Sequence, residues 1–99
     1  MSVYVDKLTR YPIPKEAQAA RVAKRNDGQW CHMWADTLDE LHVMAAKLGL
    51  KQTWFQNHSK LPHYDLTPGK RYIALAAGAI EKSLIDHFRE LRSIRTNNT

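Results

Sequence analysis

Two pairs of helix start and stop signals limit the folds that this chain can adopt. Thr37 precedes a helical apolar repeat and has an acidic residue three positions later, which is the spacing of a capping box. Gly49 follows that repeat, where helices often end in a left-handed residue. Thr67 and Pro68 give a second start, and Gly78 gives a second stop. A chain of 99 residues with these signals has room for one packed core.

Short apolar and β-branched segments alternate with these helices. We predict strands at residues 3–6, 29–35, 52–56 and 79–80, and a third helix that begins at Ser83. Strands that alternate with helices are typical of a parallel sheet, because helices carry the chain from one strand to the next. The sequence therefore predicts a small α/β domain of two or three layers, with a mostly parallel sheet of three or four strands and about three helices.

The whole chain, residues 1–99, is predicted to form one domain. Residues 11–28 contain two prolines and several basic residues, and we interpret them as a long irregular excursion. Residues 95–99 are expected to form a frayed tail. The sequence has no apolar run of the roughly 20 residues that a membrane helix needs, no secretion signal at its start, and one cysteine, Cys31. These features favour a cytoplasmic protein.

The net charge of +5 favours an anionic partner. Lys70 and Arg71 lie in the first turn of the helix that begins at Thr67, where the helix dipole is already positive. An anion bound at this helix start would offset the repulsion, with His63 nearby as a donor, an acid or a base. The alternative is that both cations lie along the helix surface or pair with Asp65.

Carboxylates at predicted strand ends suggest a second kind of site. Asp6, Asp36 and Gln56 each close a predicted strand, and the carboxyl ends of parallel strands meet at one edge of a sheet. Asp6 and Asp36, with Asp65, could hold Mg²⁺ or Mn²⁺ for phosphoryl chemistry, and His32 or His63 could join them. The alternative is that these carboxylates cap helices or pair with arginines.

Histidines and aromatic residues complete the candidates. On the predicted second strand, His32 and Trp34 share one side, and Cys31 and Met33 share the other. Aromatic side chains such as Trp34, Trp54 and Tyr64 could stack on a base, although such residues are more often part of a core. The candidate ligand-binding residues are His32, Gln56, His63, Tyr64, Thr67, Lys70 and Arg71. The candidate catalytic residues are His63, Asp36 and Asp6.

Three motifs carry a resemblance to a known family. They are His32-x-x-Ala35-Asp36, the Leu48-Gly49-Leu50 segment followed by Trp54-Phe55-Gln56, and the segment from His63 to Thr67 with Lys70 and Arg71. In this combination the chain resembles, over residues 2–80, a family of short bacterial and phage proteins that is catalogued as a domain of unknown function. The resemblance implies a cytoplasmic setting in a bacterium or in a phage-infected cell, and it implies no activity.

Three functions follow from these observations as hypotheses. The first is binding of a phosphorylated small molecule, such as a nucleotide derivative, which in a phage setting would sequester a host signalling nucleotide. The second is a metal-dependent phosphohydrolase or nuclease that uses Asp6 and Asp36. The third is a non-enzymatic inhibitor that binds nucleic acid or protein through the basic residues before Gly28. No membrane partner is expected, and homo-oligomerisation is left open.

Overall fold

The computed structural model describes residues 2–10 and 29–97. The predicted excursion at residues 11–28 lies outside the described residues. The strands within these ranges are β1 (Val3–Val5), β2 (Thr9–Arg10), β3 (Gln29–Ala35), β4 (Tyr64–Leu66) and β5 (Ile80–Glu81). The α-helices are α1 (Leu38–Lys47), α2 (Pro68–Ala76) and α3 (Leu84–Asn97), and a 3-10 helix spans Gln52–Trp54. None of the described helices is long and apolar enough to cross a bilayer.

The helices begin where the local sequence predicts. The hydroxyls of Thr37, Thr67 and Ser83 each accept a hydrogen bond from the backbone N–H three residues later, at 3.2, 3.3 and 3.0 Å. Thr67, which was also a candidate ligand, therefore acts as the cap of α2. Gly49 and Gly78 follow α1 and α2 with φ of 77° and 109°, a backbone conformation that favours glycine.

The sheet is mixed and mostly antiparallel, so the prediction of a mostly parallel sheet is wrong. The strand order is β2-β3-β1-β5, and β4 also pairs with β3. β3 is antiparallel to β1, β2 and β4, whereas β1 and β5 are parallel. The strands β1, β4 and β5 thus run in one direction, as expected when α2 carries the chain from β4 to β5. The reversal of the single strand β3 makes every pair that contains it antiparallel, and helix–strand alternation does not report the direction of one strand.

The prediction of a strand at residues 52–56 is also wrong. The predicted strand at residues 52–56 is mostly a 3-10 helix, and Gln56 alone pairs with His63 through an isolated antiparallel bridge. The strand in this part of the chain is β4, at Tyr64–Leu66, where no strand was predicted. Helix α3 is described as far as Asn97, and the frayed tail expected at residues 95–99 stays a prediction.

Alternate residues of the sheet separate into two faces. One face packs against α1 and α2 and forms the core; its sheet residues are Val3, Val5, Cys31, Met33, Tyr64 and Leu66. The other face, called here the polar face, carries Tyr4, Asp6, His32, Trp34, His63 and Asp65. Helix α3 covers one end of the polar face, where the rings of His87 and Trp34 lie 5.3 Å apart. The rest of the polar face positions the site described next.

Candidate metal centre

Four titratable side chains meet on the polar face near the middle of β3. Asp65 on β4 lies opposite His32 on β3 in the antiparallel register. His63 is two residues before Asp65 and therefore projects from the same face. Asp6 approaches from the β1 side, where its backbone N–H donates to the carbonyl of His32 at 3.2 Å. The register thus brings together residues that are far apart in the sequence.

A β-bulge accompanies the placement of the Asp6 side chain. Three residues lie between Val5 and Thr9, whereas two lie between their partners on β3, Met33 and Trp30. An extra residue of this kind bends the strand and re-aims nearby side chains. Asp6 Oδ1 accepts a hydrogen bond from the backbone N–H of His32 at 2.6 Å, and Oδ2 lies 2.8 Å from Nδ1 of the same residue. Both carboxylate oxygens of Asp6 therefore hold His32.

His63 and Asp65 form the other half of the cluster. Nδ1 of His63 donates to the carbonyl of Leu61 at 2.7 Å, and Nε2 lies 3.4 Å from Oδ1 of Asp65. The Gln56 amide donates to Oδ2 of Asp65 at 2.6 Å. The Asp65 carboxylate raises the pKa of His63 above its ordinary value, although burial opposes this. Burial disfavours ionised Asp65, but the adjacent His63 imidazole and the hydrogen bond from Gln56 outweigh it and lower the pKa of Asp65.

His32, His63 and Asp65, called here the His–Asp cluster, have the composition and spacing of a metal site. One ligand atom from each lies within 4.8 Å of the others. Two ligands at 2.0–2.2 Å from a tetrahedral ion are about 3.4 Å apart. The distance between His63 Nε2 and Asp65 Oδ1 is also 3.4 Å, which is long for a hydrogen bond. Nδ1 of His32 is hydrogen-bonded to Asp6, and Nδ1 of His63 is hydrogen-bonded to the carbonyl of Leu61. Such contacts on one ring nitrogen are typical of metal-binding imidazoles, so each histidine would bind a metal through Nε2.

The His–Asp cluster is accessible from solvent on one side. The side chains of His32, His63 and Asp65 are 22%, 11% and 40% exposed. Two basic residues lie nearby in the sequence and are exposed, namely Lys7 directly after Asp6 and Lys60 three residues before His63. A small ligand from solvent can reach the exposed part of the cluster.

Cys31 lies beside His32 on β3 but projects into the core. It is 1% exposed, and burial raises the pKa of its thiol to about 12. A thiol with this pKa is protonated at neutral pH, and it is the thiolate that acts as nucleophile or metal ligand. Cys31 is therefore a core residue, and the chemistry of this region depends on the polar face.

The sequence of this chain matches a known protein family. The family DUF4031, described as a protein of unknown function, matches residues 16–94. The chain belongs to the DUF4031 family. The expected membership of a family of unknown function is thereby confirmed, although the match begins and ends later than residues 2–80; the bacterial or phage setting stays a prediction. The part of this DUF4031 chain that matches includes all three members of the His–Asp cluster and begins after Asp6. No curated protein and no solved structure matches the chain.

The two cations that were expected to bind an anion are both bonded to protein groups in this DUF4031 chain. Lys70 Nζ donates to the carbonyl of Leu48 at 2.5 Å. Arg71 Nε donates to the carbonyl of Asp6 at 2.9 Å, and Nη2 donates to Glu81 at 2.6 Å. Arg71 therefore links α2 to the ends of β1 and β5. Sequence reasoning did not select Glu81, because nothing local to the end of β5 indicates this contact.

Asp36 lies at the other end of the sheet from the His–Asp cluster. Because β3 runs against β1, the residue after β3 lies beside the start of β1. Asp36 accepts hydrogen bonds from the backbone N–H of Ser2 at 2.9 Å and from the Tyr4 hydroxyl at 3.0 Å. The expectation that Asp6 and Asp36 meet depended on parallel strands and is wrong.

Most of the aromatic candidates lie in the protein interior. Tyr64 and Trp34 are each 1% exposed, so neither can stack on a ligand at the surface. The ring of Tyr64 belongs to the core, and its hydroxyl lies 2.9 Å from Nδ1 of the half-buried His42. Trp54 is 49% exposed and keeps an accessible ring.

Proposed function

We propose that this protein binds a divalent metal ion through His32, His63 and Asp65 and uses it to hydrolyse phosphate esters, with nucleotide derivatives as the expected substrates. The observation that carries the proposal is the geometry of the His–Asp cluster. Its three ligand atoms converge, and Nδ1 of both histidines is anchored by an oxygen. A site with three protein ligands keeps a coordination position for water or substrate, as catalytic metal sites do.

The ligand types select among metals. Two imidazoles and one carboxylate suit Zn²⁺, Mn²⁺ or Fe²⁺, whereas Mg²⁺ prefers oxygen ligands throughout. Of the two ions considered from the sequence, Mn²⁺ therefore fits this ligand set better than Mg²⁺. The 3.4 Å spacing of His63 Nε2 and Asp65 Oδ1 fits tetrahedral Zn²⁺ best.

The cluster supports hydrolysis through the roles of its own residues. A divalent ion held by these three residues would supply Lewis acidity toward a phosphoryl oxygen and would lower the pKa of a bound water. In the hydrolysis, a water oxygen would form a bond to phosphorus, the bond from phosphorus to the leaving oxygen would break, and a water proton would pass to that oxygen. Gln56 holds Oδ2 of Asp65, which keeps Oδ1 directed toward His63. Asp6 and the Leu61 carbonyl hold the two imidazoles in place.

The charge of the molecule supports an anionic substrate. The net charge is +5, and the exposed Lys7 and Lys60 lie close in sequence to Asp6 and His63. A positive net charge raises the concentration of phosphorylated molecules around the protein. Lys70 and Arg71 are not phosphate ligands of the proposed site, because both donate hydrogen bonds to protein oxygens.

Calorimetric titration of the metal-stripped protein with Zn²⁺, Mn²⁺ and Mg²⁺ tests the site. We expect one bound ion per chain, with Zn²⁺ and Mn²⁺ bound more tightly than Mg²⁺. His63→Ala and Asp65→Ala each remove one ligand and are expected to weaken binding at least about 100-fold. His58→Ala is the matched control, because His58 is an exposed histidine on the adjacent loop and lies outside the His–Asp cluster.

Phosphate release from a panel of nucleotides and an aryl phosphate tests the activity. We expect metal-dependent turnover by the wild-type protein and by His58→Ala, and its loss in His63→Ala. Equal metal binding by His63→Ala and His58→Ala would refute the site. Tight metal binding without turnover on any ester of the panel would refute the hydrolase and leave a metal-binding protein.

A further inference from the structure

The contact between Asp6 and His32 differs from the contact that holds His63. Nδ1 of His63 donates to a backbone carbonyl, that of Leu61, which no substitution can remove. Nδ1 of His32 faces the side chain of Asp6 at 2.8 Å. Both contacts place a hydrogen-bond acceptor on Nδ1, but only the one at His32 depends on a single side chain.

We propose that Asp6 is a positioning residue that sets the tautomer of His32, so that the proton lies on Nδ1 and the lone pair of Nε2 is directed to the metal. An ionised carboxylate has acceptors only, so it requires a donor at Nδ1. A neutral imidazole with its proton on Nδ1 carries its lone pair on Nε2, which is the form that binds a metal. The consequence for the metal rests on the proposed function, whereas the tautomer is a property of the protein without metal.

The second oxygen of Asp6 makes this inference testable with one isosteric change. Oδ1 accepts a hydrogen bond from the backbone N–H of His32 at 2.6 Å, and a backbone N–H can only donate. In Asp6→Asn the amide oxygen must therefore occupy this position, and the amide NH₂ group must face Nδ1. Nδ1 then has to accept, and the proton moves to Nε2. The variant keeps the shape and both hydrogen bonds of Asp6 but blocks the atom of His32 that would bind the metal.

Long-range ¹H–¹⁵N correlation spectra of the metal-free protein report the tautomer directly, at a pH where the imidazoles are neutral. We expect the proton on Nδ1 of both His32 and His63 in the wild type. In Asp6→Asn we expect it on Nε2 of His32 and still on Nδ1 of His63. A wild-type His32 with its proton on Nε2 would overturn the inference without any variant. An unchanged His32 tautomer in folded Asp6→Asn would also overturn it.

Zinc affinity measured by calorimetry gives the second readout. Asp6→Asn is expected to weaken Zn²⁺ binding by about 10–100-fold, the range for residues that orient metal-binding histidines. The matched control is Asp36→Asn, which makes the same change to a hydrogen-bonded carboxylate at the other end of the sheet and is expected to leave the affinity unchanged. A tautomer switch in a protein that binds no metal would support the inference and refute the proposed function. Equal losses of affinity in both variants would overturn the inference.

Discussion

Removing the Arg71 side chain tests whether the cations at the start of α2 stabilise the fold or serve to bind an anion. Arg71 donates to the carbonyl of Asp6 and to the carboxylate of Glu81, and its side chain is 15% exposed. A hydrogen bond from a charged donor contributes about 1.5–3 kcal/mol. The ion pair adds about 1 kcal/mol at most, because the Glu81 side chain is 48% exposed and water screens the charges. We therefore expect Arg71→Ala to lower the free energy of unfolding by about 2–3 kcal/mol without any ligand.

Urea denaturation followed by circular dichroism measures this loss, provided that the slope of the transition stays constant. Glu81→Gln is the matched control, since it removes the ion pair and keeps the bond from Arg71 to the Asp6 carbonyl. We expect it to cost about 1 kcal/mol or less. If the free energy of unfolding of Arg71→Ala lies within about 0.5 kcal/mol of the wild-type value, the structural role of Arg71 is refuted. Strong stabilisation of the wild type by phosphate, absent in Arg71→Ala, would then favour the anion site.

The remaining predictions concern stability. Met33→Ala empties a fully buried position and should lower the free energy of unfolding by about 2–5 kcal/mol in urea; a loss below 1 kcal/mol would contradict its central place in the core. Tyr64→Phe leaves Nδ1 of His42 without its hydroxyl partner and should cost about 1–2 kcal/mol, whereas no change would mean that water replaces the bond. The raised pKa of His63 stabilises the metal-free protein below about pH 6.5 and ceases to do so as the pH rises through the folded-state value. The lowered pKa of Asp65 stabilises the protein above about pH 4. The joint contribution of His63 and Asp65 should therefore be largest between about pH 4 and 6.5, and it should be absent in His63→Gln. It amounts to about 1 kcal/mol at most, because solvent screens this pair.

The helices could be predicted from the sequence because their signals are local. Each cap depends on a hydroxyl and a backbone N–H three residues later, and the prediction placed all three starts correctly. The direction of β3 could not be predicted in the same way. It depends on pairing with β1 and β4, which lie about 30 residues away on either side. We inferred parallel pairing only from the alternation of strands and helices, and the reversed direction of β3 makes that inference wrong.

The members of the His–Asp cluster were all selected as candidates, but their grouping was not predicted. Grouping by strand ends placed Asp36 with Asp6, whereas the antiparallel register places Asp65 opposite His32. The sequence contains one signal that indicates this grouping. From His63 to Leu66 polar and apolar side chains alternate, which is typical of a strand with one buried face. Recognising that strand would have placed His63 and Asp65 on one face.

The way in which the cluster is assembled would link the proposed metal binding to folding. His32 belongs to β3, whereas His63 and Asp65 belong to β4 and the residue before it, so the ligands converge only when these two strands pair. The unfolded chain offers no such arrangement, so a metal that binds the native state adds its binding free energy to the stability of the sheet. The Asp6 contact adds a third segment to this linkage, because the β1 end must lie against β3 for the carboxylate to reach His32. Pairing of β1 with β3 therefore prepares one ligand of the site, and a metal bound there would in turn favour that pairing.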